Sequence, residues 1–574
     1  MAITSITSSA LVLLSLFHIL IVLFSVTSSA SYSSNAHDQY AAFFNCLAKS
    51  NHAHIPIYLP NTSSYNSTLI SSIVNTRFLT PEARKPHLII KPLNESQVQA
   101  VVICSRKHEF QIRALSGGHD YEGIAYTSHQ QLPFIMLDLI NFHSIKVDIK
   151  SETAWVQSAA TLGQLFYNIA AKSPIHAFPA GLGPPVGVGG HFSGGGYGNL
   201  IRKYGLAADN IIDAQIVNAN GEILDRRAMG EDLFWAIRGG GAASFGVVLS
   251  WKIKLVRVPP TVTVFTVTIT LEQGAIPLLH KWQYIAHKLP KDLSIMPAYI
   301  GKTNSTKQLL FVFCLFLGKA EELLQIMQES FPEFGLKRED CIETTWVRST
   351  LYFFRVPYNE SLCSLLDRNP IPKYPFKSIS DYVEKPIPES ALQELWGKVS
   401  EVDYSYITFI PYGGRMSEIA ESEIPFPHRE GNIYFISYEV DWMKPEESTK
   451  KIEWIRSLYK YMTPYVSKNP RAAYINYRDL DLGQNSRVDG SASYEEAKVW
   501  GVKYFKGNFD RLVKVKSEVD PTNFFTNEQS IPVAHNQLPF NQSTHDQILC
   551  DPPTDPRQLQ RADAVDAVDA MCYA

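Results

Sequence analysis

An α+β fold is what this 574-residue sequence predicts. Three observations predict it: short apolar runs alternate with helical stretches from Lys85 to Lys254, β-rich runs dominate beyond Pro259 and Pro260, and three glycine-dense stretches punctuate the first region. The length is several times that of a typical domain, which implies three or four folding units and a large core. Hydrophobic residues at 45% and charged residues at 19% fit a globular enzyme. With 53 Lys plus Arg against 56 Asp plus Glu, a net charge of -3, the chain has no electrostatic footprint for nucleic acid or an anionic membrane. A small molecule is the expected partner.

Residues 1–30 contain no Asp or Glu, carry an apolar run from Ala10 to Val26, and end in small residues. This is a secretory signal-peptide pattern, with an uncleaved anchor as the alternative because no Lys or Arg precedes the run. Asn-x-Ser/Thr sequons at Asn61, Asn66, Asn94, Asn304, Asn359 and Asn541 agree with passage through the secretory pathway. Seven cysteines in so long a chain make no disulfide scaffold, and no CxxC or Cys/His cluster at metal spacing occurs, so a structural zinc is not expected. Cys46 and Cys104 are the favoured disulfide in an oxidising compartment, with two buried thiols as the alternative.

In chain order, HLIIKP, FQIRAL, FIMLDL, IKVDI and AWVQSAA read as strands. Ser96 to Gln99 and Thr161 to Gln164 read as capping boxes opening two helices. Asn220-Gly221 between two apolar runs predicts a hairpin on a type I′ turn. Farther on, TVTVFTVTITLEQG, LLFVFCLFLG and YFISYEVDW predict a sizeable antiparallel sheet, and a helix with Ile276, Leu279, Trp282, Ile285 and Leu289 on one face suits packing on it. From Arg471 to Pro532 come YINYRDLDLG, a helix through YEEAKVWGVKYFKGNFDRLVKV, and FFTNEQSIP; a polar tail with the repeat ADAVDAVDA follows.

The glycine-dense stretches are Leu115–Gly123, Gly183–Gly198 and Arg238–Gly246. Such loops let backbone amides approach a pyrophosphate closely, or they make tight turns. GVGGHF lacks the spacing and context of a Rossmann fingerprint, which disfavours a nicotinamide dehydrogenase. His119 stands among glycines directly after a strand, where its imidazole can reach a ligand.

Together, Arg113 to Gly123, HAFPAG leading into VGVGGHFSGGGYGNLIRKYGLAADNII, GEDLFWAIRGGGAASFGVV, and YINYRDLDLG with NEQSIP resemble the plant berberine bridge enzyme-like oxidases of the vanillyl-alcohol-oxidase/PCMH flavoprotein family. The resemblance runs from about Phe43 to Pro532. It implies a two-part PCMH-type FAD-binding domain, residues 80–257 completed by 471–535, and a substrate domain, 258–470, built on a large antiparallel sheet flanked by helices. Residues 1–30 are then the signal, 31–79 an N-terminal segment and 536–574 the tail.

The resemblance also implies site residues. His119 would bond to the flavin 8α carbon, with Ser116, Gly117, Gly118, Asp120, Val186, Gly189, Gly190, His191, Tyr197 and Asn527 as cofactor contacts. Many members add a cysteinyl tether; Gly183 occupies that position here, which implies a single histidyl link. Tyr477 matches a catalytic tyrosine and would need a lowered pKa to act as a base, the alternative being a ring that packs on the flavin. If its segment is a strand, Arg478 points away from it.

A glutamate base of some relatives aligns with Ser437, and a neighbouring lysine or acid with Phe435, which makes the site more apolar and suited to a bulky hydrophobic substrate. Glu439, on the same strand face, is a candidate replacement. Val186 matches a position where small side chains leave a path for O2. Asp209 and Asn210 read as flavin-side hydrogen bonders or turn formers. The implied activity is hydride transfer from an alkaloid or phenolic metabolite to flavin N5, with O2 reduced to H2O2, by a monomer in the secretory pathway. A carbohydrate oxidase, a flavin-containing pericyclase and a non-redox binding glycoprotein are the alternatives.

Overall fold

Apolar runs buried on both faces build the first sheet. Leu88, Ile89 and Ile90 are fully buried, as are Ile135, Met136 and Leu137, and their strands pair in parallel, the arrangement such runs favour. The computed structural model describes residues 38–534 apart from 51–53, 302–308, 355–356, 358, 370–371 and 487–492. The strand order is Ile57–Tyr58, Leu88–Ile90, Phe134–Asp138, Gln111–Leu115. The helix Glu95–Lys107 crosses over between strands and is held to the N-terminal segment by the disulfide Cys46–Cys104.

The cap of that helix sits two residues before the expected box. Asn94, as effective an N-cap as serine, accepts from the Gln97 N–H and from the Ser96 hydroxyl, so Ser96 serves the cap and does not make it. Thr161 and Gln164 do form a capping box, at the start of Leu162–Lys172.

A second, five-stranded antiparallel sheet runs Ile145–Asp148, Thr153–Gln157, Val247–Lys254, Ile211–Val217, Ile223–Leu224. Its last hairpin is present, but the turn is not type I′. Only Gly221 has a positive φ, of 80°, and the Asn218 side chain accepts from the Asn220 and Glu222 N–H groups, stabilising a wider loop through an Asx turn.

The third sheet has seven strands in the order Ile342–Thr344, Val262–Ile269, Leu309–Phe316, Leu293–Ile300, Ser405–Pro411, Tyr434–Asp441, Phe376–Val383, every pair antiparallel. Alternation assigns its faces. Tyr434, Ile436, Tyr438 and Val440 join the core formed with the helices Ala275–Ile285, Ala320–Ser330, Glu389–Val399 and Ser448–Met462. Ile276, Leu279, Trp282 and Leu289 are buried there, with Ile285 packed at its edge, as the helical spacing predicts. Phe435 belongs to the other core, shared with the glycine-rich loops.

The terminal segment is not a strand where YINYRDLDLG suggests one. Ile475–Tyr477 and Leu480–Leu482 are 3₁₀ turns, the second capped by the Asp479 carboxylate, which accepts from the Asp481 N–H. The following helix breaks in two, Tyr494–Phe505 and Asn508–Val519, at Lys506 with φ 45°. Glu528 of NEQSIP then pairs with Arg113 of the first sheet at 2.7 Å, both side chains buried. The end of the chain is therefore built into its beginning.

Among the described residues no helix is long and apolar enough to cross a membrane, and no group of His, Cys, Asp or Glu is placed to hold a metal. Residues 1–30, the tail 536–574, Asn304 and Asn541 lie outside the described residues. Asn61, Asn66, Asn94 and Asn359 are exposed.

Candidate active site

The three glycine-dense stretches converge on one cavity of about 440 Å³. Two of them touch backbone to backbone: a Cβ on Gly117 would lie 2.3 Å from the Gly187 nitrogen, and one on Gly187 2.2 Å from the Ser116 hydroxyl oxygen. Ser116 donates to the Ser158 carbonyl at 2.5 Å, which also accepts from the Gly189 N–H, so both loops hang from one residue just past the Thr153–Gln157 strand of the second sheet. Gly190 and Gly241 differ. Each lines the cavity, and among the described residues no heavy atom beyond its chain neighbours and, for Gly190, its own helix backbone lies within 4 Å of where its Cβ would stand, so a ligand can approach their backbone closely.

Every cofactor contact expected from the sequence lines this cavity: Ser116 through Asp120, Val186, Gly189, Gly190, His191, Tyr197 and Asn527, together with Tyr477. Burial, reinforced by the cations Lys373 and Arg368, holds His119 down to about 4, against the opposing effect of a hydrogen bond to the Pro185 carbonyl. Its imidazole is neutral at physiological pH and keeps a lone pair for bonding. His191 is also held to about 4 by burial. Its Nε2 accepts from the Gly181 N–H at 2.9 Å, and the ring fills space beside Gly181 and Gly196, so it braces the loop.

Asp120 accepts from the Glu122 and Ile124 N–H groups and meets Arg478 at 3.7 Å, fixing the loop beyond His119. Asn527 accepts from the Gln529 N–H. Asp209 and Asn210 lie away from the cavity lining and are turn formers. Asp209 is paired with Arg429 at 2.6 Å, and the Asn210 amide donates to the Tyr204 and Leu206 carbonyls.

One end of the cavity is closed by aromatic rings. Tyr121 stacks on Tyr477 at 4.8 Å, Phe435 lies 5.3 Å from Tyr197 and 5.6 Å from Tyr477, and Tyr474 lies 5.4 Å from Tyr477. The hydroxyls of Tyr197 and Tyr477 are hydrogen-bonded, and Tyr474 accepts from the Gly196 N–H at 2.8 Å.

The lowered pKa that a tyrosine base would need is not what this setting produces. Burial pushes Tyr477 up to about 12, with its bonds to Tyr197 and Tyr121 pulling the other way. The adjacent cation is spent elsewhere: Arg478 turns to Asp120 and to the Gln529 carbonyl. Tyr477 therefore holds its proton at neutral pH. Two further site residues, Tyr121 and Tyr474, are not among those the sequence points to. Tyr121 follows Asp120 directly and so is within reach of the motif, whereas Tyr474 is distinguished from other tyrosines only by tertiary contact.

Residues 86–226 match the family model described as FAD binding domain, and residues 473–532 match the one described as berberine and berberine like. Glycine backbone open to close approach, a neutral histidine and a phenolic end wall are compatible with that cofactor, so fold and site define an FAD-linked oxidoreductase whose cofactor domain is assembled from both ends of the chain. Over 514 residues the chain is 53% identical to the tetrahydroberberine oxidase of Berberis wilsoniae, a match spanning 88% of this chain and 96% of that one. It superposes on the structure of BBE-like 28 from Arabidopsis thaliana with a TM-score of 0.81 at 48% identity, covering 86% of this chain and 99% of that one. The grass pollen allergen Phl p 4, described as having glucose dehydrogenase activity, superposes with a TM-score of 0.82 at 43% identity over 86% of this chain and 99% of that one. The chain belongs to the berberine bridge enzyme-like family and is an FAD-dependent oxidase.

Proposed function

We propose that this enzyme oxidises a bulky hydrophobic metabolite, an alkaloid or a phenol, with FAD held by a single covalent bond to His119 and with O2 reduced to H2O2. Bound FAD supplies the hydride acceptor. The observation that carries the substrate reading is the end wall, in which the rings of Tyr121, Tyr197, Tyr474 and Tyr477 line the cavity and Phe435 packs against Tyr197 and Tyr477, and the name of the 53%-identical relative supports it. Neutral His119 supports the histidyl link. Gly183 supports its being the only one: it lines the cavity with no thiol, and the free thiols among the described residues, Cys314 and Cys341, are buried in the core on the helix side of the large sheet.

Tyr477 and Tyr197 orient the substrate and hold a proton at the Tyr477 phenolic oxygen. Tyr477→Phe is expected to lower kcat/KM by roughly 10²-fold, the scale of a lost positioning contact at the reacting centre; an unchanged rate would remove Tyr477 from the chemistry. Val186 lines the cavity beside Gly183, its Cγ2 3.1 Å from where a Cβ at 183 would stand. Val186→Ile is expected to slow reoxidation by O2 about tenfold, near 1.4 kcal/mol of barrier, while reduction by substrate changes little. Stopped-flow measurement of the two half-reactions checks this.

A carbohydrate substrate is the second reading, favoured by Phl p 4, whose isoleucine-to-valine variant is described as a glucose oxidase. Anaerobic mixing with tetrahydroberberine, a simple phenol and glucose separates the readings, since only a true substrate bleaches the flavin band. Product without bleaching would indicate pericyclic chemistry, and neither bleaching nor product a binding protein. A secretory location is supported by the disulfide and by four exposed sequons, Asn61, Asn66, Asn94 and Asn359.

A further inference from the structure

We propose that Glu439 binds the ammonium group of a protonated amine substrate and takes up its proton, so that this site selects basic amines over neutral sugars. The inference rests on the oxidase reading above and narrows its substrate class.

Phe435, Ser437 and Glu439 share one face of the Tyr434–Asp441 strand, and Phe435 fixes that face against Tyr197 and Tyr477. At about 3.3 Å per residue, Ser437 and Glu439 lie roughly 7 and 13 Å farther along. Across the sheet from Ser437 stand Thr408 and Ser380, and beyond Thr408 stands Ala298. The side chains in this row, none larger than threonine, are what separate Phe435 from Glu439. Glu439 itself is opposed by Tyr406 and Ser378. Tyr121 meets Phe376 edge-on at 5.2 Å, at the end of the neighbouring strand, and stacks on Tyr477, and the hydroxyls of both tyrosines interact electrostatically with Glu439.

Glu439 is only partly exposed, yet among the described residues no cation forms an ion pair with it. Burial acts first on its carboxyl and Asp441 is the charge it feels, both disfavouring ionisation. A carboxylate so placed carries an unbalanced desolvation cost that a ligand cation relieves, and the neighbouring tyrosine rings favour a cation as well. A sugar offers no such complement.

The step balances. The ammonium N–H bond breaks and its proton passes to a Glu439 carboxylate oxygen, freeing the nitrogen lone pair. Bound FAD would supply the acceptor for the adjacent C–H, lost as hydride while the lone pair forms C=N⁺. The amine loses two electrons, and O2 takes up those two electrons with two protons to give H2O2.

The probe is the N-methyl quaternary salt of tetrahydroberberine, which carries a fixed charge and no N–H, titrated into the holoenzyme and followed by the flavin absorbance shift. Glu439→Gln is expected to raise its Kd about tenfold or more, the scale of one lost ionic contact, while Glu439→Asp recovers most of the loss and glucose binding stays as it was. In the wild type the same Kd tightens as pH rises through ionisation of Glu439. The groups facing it are Asp441 on its own strand, Lys451 beyond Asp441, Tyr406 on the next strand, and Tyr121 and Tyr477 from the FAD-side loops. A Kd unchanged in Glu439→Gln overturns the proposal. Should that variant fail to hold flavin, a wild-type Kd that is flat with pH overturns it instead. Oxidation of glucose but of no amine would refute the substrate reading of the enzyme; oxidation of tetrahydroberberine with an unchanged cation Kd in Glu439→Gln would refute the role of Glu439 alone.

Discussion

Replacing His119 by alanine is expected to leave FAD bound but releasable by acid, and to lower kcat/KM on the order of 10²-fold, the scale that follows from loss of precise placement of a reacting group. The cavity keeps its glycine loops and phenolic wall in the variant, so binding survives; what disappears, under the proposed histidyl link, is the bond that would fix the ring and withdraw electrons from it. With Gly183 in the position where relatives carry a second tether, no other bond would take over under that proposal. Acid precipitation with peptide mass analysis reads the linkage, and steady-state kinetics reads the loss. FAD still covalently attached in His119→Ala, or found on a cysteine of the wild type, would sink the single-link reading.

Local signals make the His119 loop legible in the sequence itself. A strand ends at Leu115, glycines follow, and a histidine stands among them, features written in nine consecutive residues. The strands before and after are legible for the same reason, since alternation or continuous apolarity is a property of the strand itself. Sequence and structure part where a side chain some residues away decides the backbone. Asn94 outcompetes Ser96 for the same helix start, Asn218 holds the hairpin open around Asn220, and Asp479 turns an apparent strand into a 3₁₀ turn. In each case an Asn or Asp side chain replaces the backbone partner that the pattern presumes.

Chemistry is less legible than fold. The sequence points to Tyr477 but not to its acidity, which depends on burial and on Arg478 turning to Asp120, neither visible in YINYRDLDLG. Glu439 is similar: the alternation of IYFISYEVDW puts it on the right face, yet whether a cation neutralises it depends on elements distant in sequence.

The largest effect on stability is expected from Lys377→Met. Lys377 lies on the Phe376–Val383 strand with its ammonium buried, 2.6 Å from Glu122, 2.5 Å from Asp479 and 3.4 Å from Asp481. Glu122 closes the loop that carries His119 and Tyr121, and Asp479 follows Tyr477 by two residues, so one side chain ties the substrate sheet to both halves of the cofactor site. Arg77 and Arg456 satisfy Glu122 and Asp481 in part, but Asp479 has no other cation within ion-pairing distance among the described residues. Removing Lys377 strands buried carboxylates, at a cost of about 3–5 kcal/mol. The pH dependence tests the cause. Burial already raises Asp479, Lys377 opposes that rise, and the variant lets it climb farther. A carboxyl raised in the folded state destabilises the fold as pH rises through that raised value, and the penalty vanishes below its unfolded pKa. The gap between variant and wild type should therefore be widest at neutral and alkaline pH and shrink on acidification, as read from denaturant midpoints or from inactivation half-lives if unfolding proves irreversible. A gap that is constant with pH would mean that Lys377 acts through packing of its alkyl chain, and the charge link between the two halves of the site would have to be abandoned.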